Sequence, residues 1–159
     1  MKLHSDMIEH QKKLANDDTY LVEYPSMQKI LWNDFLRENK GKAIYADFWA
    51  SWCGPCIQEL PNSVRLSADF KDRPVAFVFL LQDNSSEQWQ KAAKKYNLST
   101  LDNVYLLGGG QHSNILKHFS IQAIPHYLVF DKNGNLLNKN APKPSEPKIR
   151  DVLSTLAKA

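Results

Sequence analysis

A mixed α/β sheet covered by helices on both faces is the fold class this sequence predicts. Three observations carry that expectation. Residues 43–49 read as a buried strand that runs directly into a helical segment. The continuous apolar run Val75-Ala76-Phe77-Val78-Phe79-Leu80-Leu81 suits a central parallel strand covered on both faces. Segments at 127–130 and 135–138 flank Asp131-Lys132-Asn133-Gly134, an antiparallel hairpin signal with Asn-Gly at its tip.

The elements follow in order. Residues 4–15 read as a weakly amphipathic helix, and 20–24 as a short extended piece that Pro25 ends. Ser26 can cap a helix to about Glu38, with Met27, Ile30, Leu31 and Phe35 on one face and Gly41 placed to stop it. After the 43–49 strand, a helix opens near Cys53 and runs to about Phe70, with Ile57, Leu60 and Val64 facing inward and Pro61 kinking it. Ser85 and Gln88 form a capping pattern for a helix whose buried face is Trp89, Ala92, Ala93 and Tyr96. A strand at 104–107, a glycine turn at 108–110 and a short helix at 113–119 come next. A proline-rich link at 142–147 leads to a closing helix marked by Ile149, Val152, Leu153 and Leu156. Residues 1–25 are expected as an extension packing on a single domain at 26–159.

Composition narrows the function. A chain of 159 residues with 43% hydrophobic content can bury one ordinary core, which excludes disordered and fibrous classes. Twenty basic against seventeen acidic residues leave +3, and the lysines are scattered, so nucleic acid is not an expected partner. No apolar stretch approaches the roughly 20 residues that span a bilayer, and the first residues lack the apolar core of a secretion signal. Either the protein is cytosolic or a leader lies outside this sequence.

The chemistry lies in Trp52-Cys53-Gly54-Pro55-Cys56, which holds the only two cysteines of the chain. If a helix begins at Cys53, its sulfur meets unpaired backbone N–H groups and the positive end of the helix dipole, which stabilise a thiolate. Cys56 lies one turn further in. The more exposed thiolate, assigned to Cys53, attacks a substrate disulfide, and Cys56 then displaces the substrate by closing a ring with Cys53. Pro55 suits a first helical turn, and Gly54 leaves the sulfur uncrowded. A structural disulfide is the first alternative, weakened by a loop too short to remove much chain entropy. A zinc site is the second, and it would need ligands from the scattered His4, His10, His112, His118 and His126.

The stretch Asp47-Phe48-Trp49-Ala50-Ser51-Trp52-Cys53-Gly54-Pro55-Cys56, with Pro61, Ile124-Pro125 and Asn133-Gly134, resembles the thioredoxin superfamily. The helix and strand between Asn84 and Leu107 look like the insertion of its TlpA/ResA group of bacterial thiol-disulfide oxidoreductases. The resemblance implies a thioredoxin-like three-layer α/β/α sandwich and a reductant of protein disulfides in the bacterial cell envelope. It also implies recharging by a membrane or soluble thiol donor, a monomeric state, and no organic or metal cofactor.

The resemblance assigns further residues. Ile124-Pro125 is implied to be a cis bond beside the cysteines, with backbone at Ile124 pairing with an extended substrate; a trans proline opening a strand is the alternative. His126 stands where a small or hydroxyl residue is usual, and a protonated ring reaching Cys53 would favour the thiolate, unless it points into packing or solvent. Asp47 matches the buried aspartate of thioredoxin and is placed to accept the Cys56 proton through water, or is a hydrogen-bonded core residue. Glu59 matches a glutamate associated with the thiols, or only stabilises a helix start. Trp52 and Trp49 read as packing and substrate-surface aromatics. Two rival functions remain: a peroxiredoxin-like thiol peroxidase, disfavoured because Ala50 stands where a Thr-x-x-Cys motif has threonine, and a non-catalytic binding domain.

Overall fold

The computed structural model describes residues 19–24, 26–83, 85–98 and 101–158. The helix expected at 4–15 lies outside the described residues. A sheet of seven strands carries the fold: β1 (Tyr20–Glu23), β2 (Lys29–Leu31), β3 (Ala43–Trp49), β4 (Val75–Leu81), β5 (Val104–Leu107), β6 (His126–Phe130) and β7 (Leu136–Asn138). Their lateral order is β2-β1-β5-β4-β3-β6-β7. The middle strands β3, β4 and β5 run parallel, while β6, β7, β1 and β2 join antiparallel. This is the expected mixed sheet, and every residue of β3 and β4 is buried, the wholly apolar β4 as its sequence requires and β3 with one carboxyl, Asp47, among its apolar residues.

Among the described residues five helices cover it: α1 (Trp32–Glu38), α2 (Gly54–Asp69), α3 (Ser86–Lys95), α4 (Asn114–His118) and α5 (Pro147–Lys158). Strand alternation divides the core into two layers. Tyr45 and Trp49 face a layer that includes Leu60 and Leu66 of α2, Trp89 of α3 and Ile149 and Leu153 of α5. Ile44, Ala46 and Phe48 face the other layer, with Trp32 and Phe35 of α1 and Ile115 and Leu116 of α4. The result is a three-layer α/β/α sandwich.

One expected helix is corrected. Residues 29–31 form β2, not the start of a helix at Ser26, and α1 begins only at Trp32. Pairing decides it: Lys29, Ile30 and Leu31 oppose Val22, Leu21 and Tyr20, so the two segments close a hairpin. Met27 sits at φ 62°, in the left-handed region that breaks a helix. Ser26 accepts the Gln28 N–H through Oγ at 3.3 Å, a local turn in place of a helix cap. Leu31, at the N-cap, offers no side-chain bond, and the Trp32 N–H goes to the Thr19 carbonyl at 3.0 Å.

The helix carrying the cysteines also differs in its inward face. Cys56, Leu60, Ser63 and Leu66 are the buried residues of α2, whereas Val64 is 37% exposed and Ile57 only half-buried. The helix turns Ser63 inward because a buried carboxylate waits there. Pro61 lies within α2, as expected.

The other helix ends follow their sequence signals. Ser85 caps α3 by accepting the Gln88 N–H at 3.2 Å, and Ser113 caps α4 by accepting the Ile115 N–H at 3.2 Å. In the glycine turn, Gly108 donates to the Tyr20 carbonyl at 2.8 Å, and a β-carbon there would lie 2.7 Å from that oxygen. Only glycine lets β1 approach so closely.

Candidate active site

Four residues, Ala50 to Cys53, connect the C-terminal end of β3 to α2. Cys53 is the N-cap of α2, Gly54 its first residue and Pro55 its second, where a missing N–H leaves no intrahelical bond unmade. The Cys53 Sγ accepts the Cys56 N–H at 3.3 Å. A backbone donor therefore points at the sulfur expected to ionise, and the helix dipole adds favour of about 0.3–1 kcal/mol for an anion there.

Cys53 and Cys56 are joined by a disulfide, their Cα atoms 5.3 Å apart, so the pair stands in its oxidised form. Exposure does not separate them, contrary to expectation: Cys53 is 5% and Cys56 4% exposed. What distinguishes them is position, because Cys53 occupies the helix cap while Cys56 lies inside the first turn. Trp52, by contrast, is 53% exposed beside the pair. At Gly54 an added β-carbon would meet nothing within 4 Å, so the surface over the disulfide is open on that side.

Asp47 is buried in β3, on the same face as Tyr45 and Trp49. Its Oδ2 accepts from Ser63 Oγ at 2.9 Å, and Ser63 shares the inward face of α2 with Cys56. Burial pushes the Asp47 carboxyl up to about 7; the Ser63 hydroxyl pulls against that rise and the Glu59 charge adds to it. The nearby phenols of Tyr45 and Tyr127 are driven well above their ordinary range, chiefly by burial and then by the Asp47 charge, so they remain neutral donors. Tyr45 donates its hydroxyl to the Pro142 carbonyl at 2.6 Å and stacks on Tyr127 at 5.6 Å.

Glu59 turns to a partner that no local pattern announced. Its two carboxylate oxygens accept from Ser145, from the N–H at 3.0 Å and from Oγ at 2.7 Å. That ties α2 to the segment preceding α5, while the charge still acts on Asp47. Ile124-Pro125 is a cis peptide bond, and Ile124 packs against both core layers, including the one that contains the cysteines. Among the described residues, nothing bonds to the backbone N–H or C=O of Ile124. His126 opens β6 opposite Phe48, and its Nε2 meets the Lys139 carbonyl at 2.6 Å, which makes Nε2 the protonated ring nitrogen. Its ring is thus engaged with the backbone at Lys139, just past the end of β7.

Sequence reasoning missed Ser63, Ser145 and Asp83. Ser63 was legible only as one polar position on an amphipathic helix, and Ser145 lies 86 residues from Glu59. Asp83 is buried just beyond β4, where its Oδ1 accepts the Ser51 N–H at 2.9 Å.

Comparison with known proteins agrees with this geometry. The family model described as Redoxin matches residues 25–155. The thiol-disulfide oxidoreductase ResA of Bacillus thuringiensis subsp. konkukian is 25% identical over 121 residues, 76% of this chain and 67% of that protein. For a ResA of Bacillus cereus the figures are 26% over 104 residues, covering 65% and 57%. The chain therefore spans about two thirds or less of the ResA length. A solution structure of a Bacteroides vulgatus protein assigned as a thiol-disulfide oxidoreductase superposes with a TM-score of 0.72 at 27% identity, covering 86% of this chain and 85% of the other. The crystal structure of the thioredoxin domain of another thiol-disulfide oxidoreductase from that organism gives 0.72 at 21% identity, covering 87% and 91%, which speaks for the fold alone.

Proposed function

The chain belongs to the Redoxin family, in the TlpA/ResA-like part of the thioredoxin superfamily, and on that premise we propose that it is a thiol-disulfide oxidoreductase that reduces protein disulfides. The observation that carries the reading is the Cys53–Cys56 disulfide formed at a helix N-cap, with the buried Asp47 carboxyl bonded to the same helix through Ser63.

In the reduced enzyme the Cys53 thiolate attacks one sulfur of a substrate disulfide. The substrate S–S bond breaks, one substrate sulfur leaves as a thiolate that takes up a proton, and the other is held in a mixed disulfide with Cys53. Cys56 then loses its proton, through water, to the Asp47 carboxylate and attacks Cys53 Sγ. The Cys53–Cys56 bond forms as the second substrate thiolate departs. Two electrons have passed to the substrate, and the enzyme is left in the oxidised form seen here. A thiol donor returns it to the dithiol.

Trp52, Gly54, Pro55 and the Ile124-Pro125 backbone form the substrate face in this reading. The exposed Trp52 ring and the Ile124 backbone groups, which bond to nothing among the described residues, support it. His126 takes a place at the rim of that face, held by Lys139. The catalytic domain is taken as residues 26–159, with residues 1–25 an extension of which 20–23 add a strand to the sheet. The working compartment is the bacterial cell envelope and the working form a monomer, by likeness to the TlpA/ResA group. No described helix is long and apolar enough to cross a membrane.

Trapping tests the reading. Cys56→Ser should capture substrate proteins from envelope extracts as mixed disulfides that a reductant releases, and Cys53→Ser should capture none. Equal capture by both variants, or by neither, would overturn the assigned order of attack.

A further inference from the structure

We infer that Asp83 is a positioning residue for the reaction, holding the turn that delivers Cys53 to the end of α2. The inference rests on the dithiol reading above and deepens it.

The turn is short and has few anchors of its own. Between the last residue of β3, Trp49, and the first of α2, Gly54, the Cys53 N–H bonds to the Ala50 carbonyl at 3.1 Å. The Trp49 carbonyl takes the Gln82 N–H at 3.0 Å. The Ser51 N–H reaches outside the turn altogether, to the Asp83 side chain 32 residues away in sequence. Parallel pairing makes this contact possible: Trp49 of β3 lies opposite Leu81 of β4, so both strands finish at the same end of the sheet and Asp83 follows directly.

Two facts argue that the carboxylate serves the turn more than the fold. Asp83 is 1% exposed, yet only Oδ1 has a partner; Oδ2 is buried and bonded to nothing among the described residues. A buried polar atom without a partner destabilises the native state, so a side chain chosen for stability alone would not leave one there. The second fact is location. Ala50 and Cys53 are buried on either side of Ser51, and the exposed Trp52 follows it, so a shift at Ser51 passes directly to the cysteine sulfur and the aromatic surface beside it. Disulfide exchange needs the attacking sulfur in line with the bond it breaks, and small displacements of a reacting atom are costly in rate.

The anchor needs an acceptor, not a charge. Asp83→Asn keeps an oxygen for the Ser51 N–H, whereas Asp83→Ala leaves that N–H without a partner. Second-order rates of reduction of a protein disulfide such as insulin should fall roughly tenfold or more in Asp83→Ala and stay within about threefold of wild type in Asp83→Asn. In the wild type, the Ser51 amide should be protected from hydrogen exchange in the reduced and oxidised protein alike, and this measurement decides the matter if Asp83→Ala does not fold. A folded Asp83→Ala of wild-type rate, an Asp83→Asn as slow as the alanine variant, or a Ser51 amide exchanging like an open loop overturns the inference. Failure of the wild type itself to reduce the disulfide strikes the dithiol reading instead.

Discussion

Ser63 of α2 donates a 2.9 Å hydrogen bond to Asp47 of β3, joining the helix that carries both cysteines to the only buried carboxyl of the described residues whose ionisation is pushed toward neutrality. The bond favours the charged carboxylate and so opposes burial. Ser63→Ala should therefore raise the Asp47 pKa further and cost about 1–3 kcal/mol of stability at pH 8, where the ionised carboxylate loses its donor. The shift is read from the carboxyl resonance of Asp47 across a pH titration, and an unmoved midpoint contradicts it.

The same carboxyl makes stability depend on pH. Asp47 titrates near 3.8 in an unfolded chain and at about 7 in the fold, so the folded state binds the extra proton between those values. Stability should fall as pH rises through that window and level off above it, by on the order of 4 kcal/mol from this residue. Asp47→Asn should lose that slope and be the more stable protein at pH 8. Urea unfolding at pH 5 and pH 8 decides the point, as does the rate at which the enzyme with Cys56 intact releases substrate from its mixed disulfide, whose rise with pH through about 7 the asparagine variant should lack.

Glu59 acts on two neighbours at once, and its variants should separate them. Glu59→Gln removes a charge that raises the Asp47 pKa, so the midpoint of that pH-dependent release should move down. Glu59→Ala should in addition free Ser145, seen as faster amide exchange at Ser145 itself. An Asp47 midpoint indifferent to Glu59→Gln would remove the glutamate from the proton path.

His126→Ala should leave the ionisation of Cys53 where it is. Nε2 is occupied by the Lys139 carbonyl, so the loss is one hydrogen bond between the start of β6 and the residue after β7, worth about 0.5–1.5 kcal/mol. The pH profile of Cys53 alkylation in Cys56→Ser, with and without His126→Ala, provides the check. Separated profiles would restore the ring to the thiol.

Gly108→Ala forces a β-carbon to within 2.7 Å of the Tyr20 carbonyl and ring. The strand β1 must move or part from β5, at a cost of about 1–3 kcal/mol. Thermal unfolding should show the lowered midpoint, while the rate of disulfide reduction in the folded protein stays unchanged because the cysteines are carried by β3 and α2.

What could be read from the chain was whatever neighbours in sequence decide. Val75 to Leu81 has no polar member and had to be a covered strand; Ser85 and Gln88 announced a helix start; Cys53 and Cys56 are close enough to find each other. Residues 29–31 failed that test, because Ile30, Leu31 and Phe35 keep helical spacing and only pairing with residues 20–22 makes a strand of them. Ser63 and Val64 exchanged places for a similar reason: hydrophobicity favours burying valine, and the Asp47 carboxyl across the core favours serine. Glu59 with Ser145, and Ser51 with Asp83, are meetings between distant segments that no local pattern encodes.

The outermost strands of the sheet, β2 and β7, have three residues each. Such brief margins expose few unpaired amides and carbonyls, and Lys29 at the start of β2 puts a charge on one of them. A strand from a second molecule would gain little by adding itself there. The protein should therefore tolerate concentration without growing by sheet extension at β2 or β7.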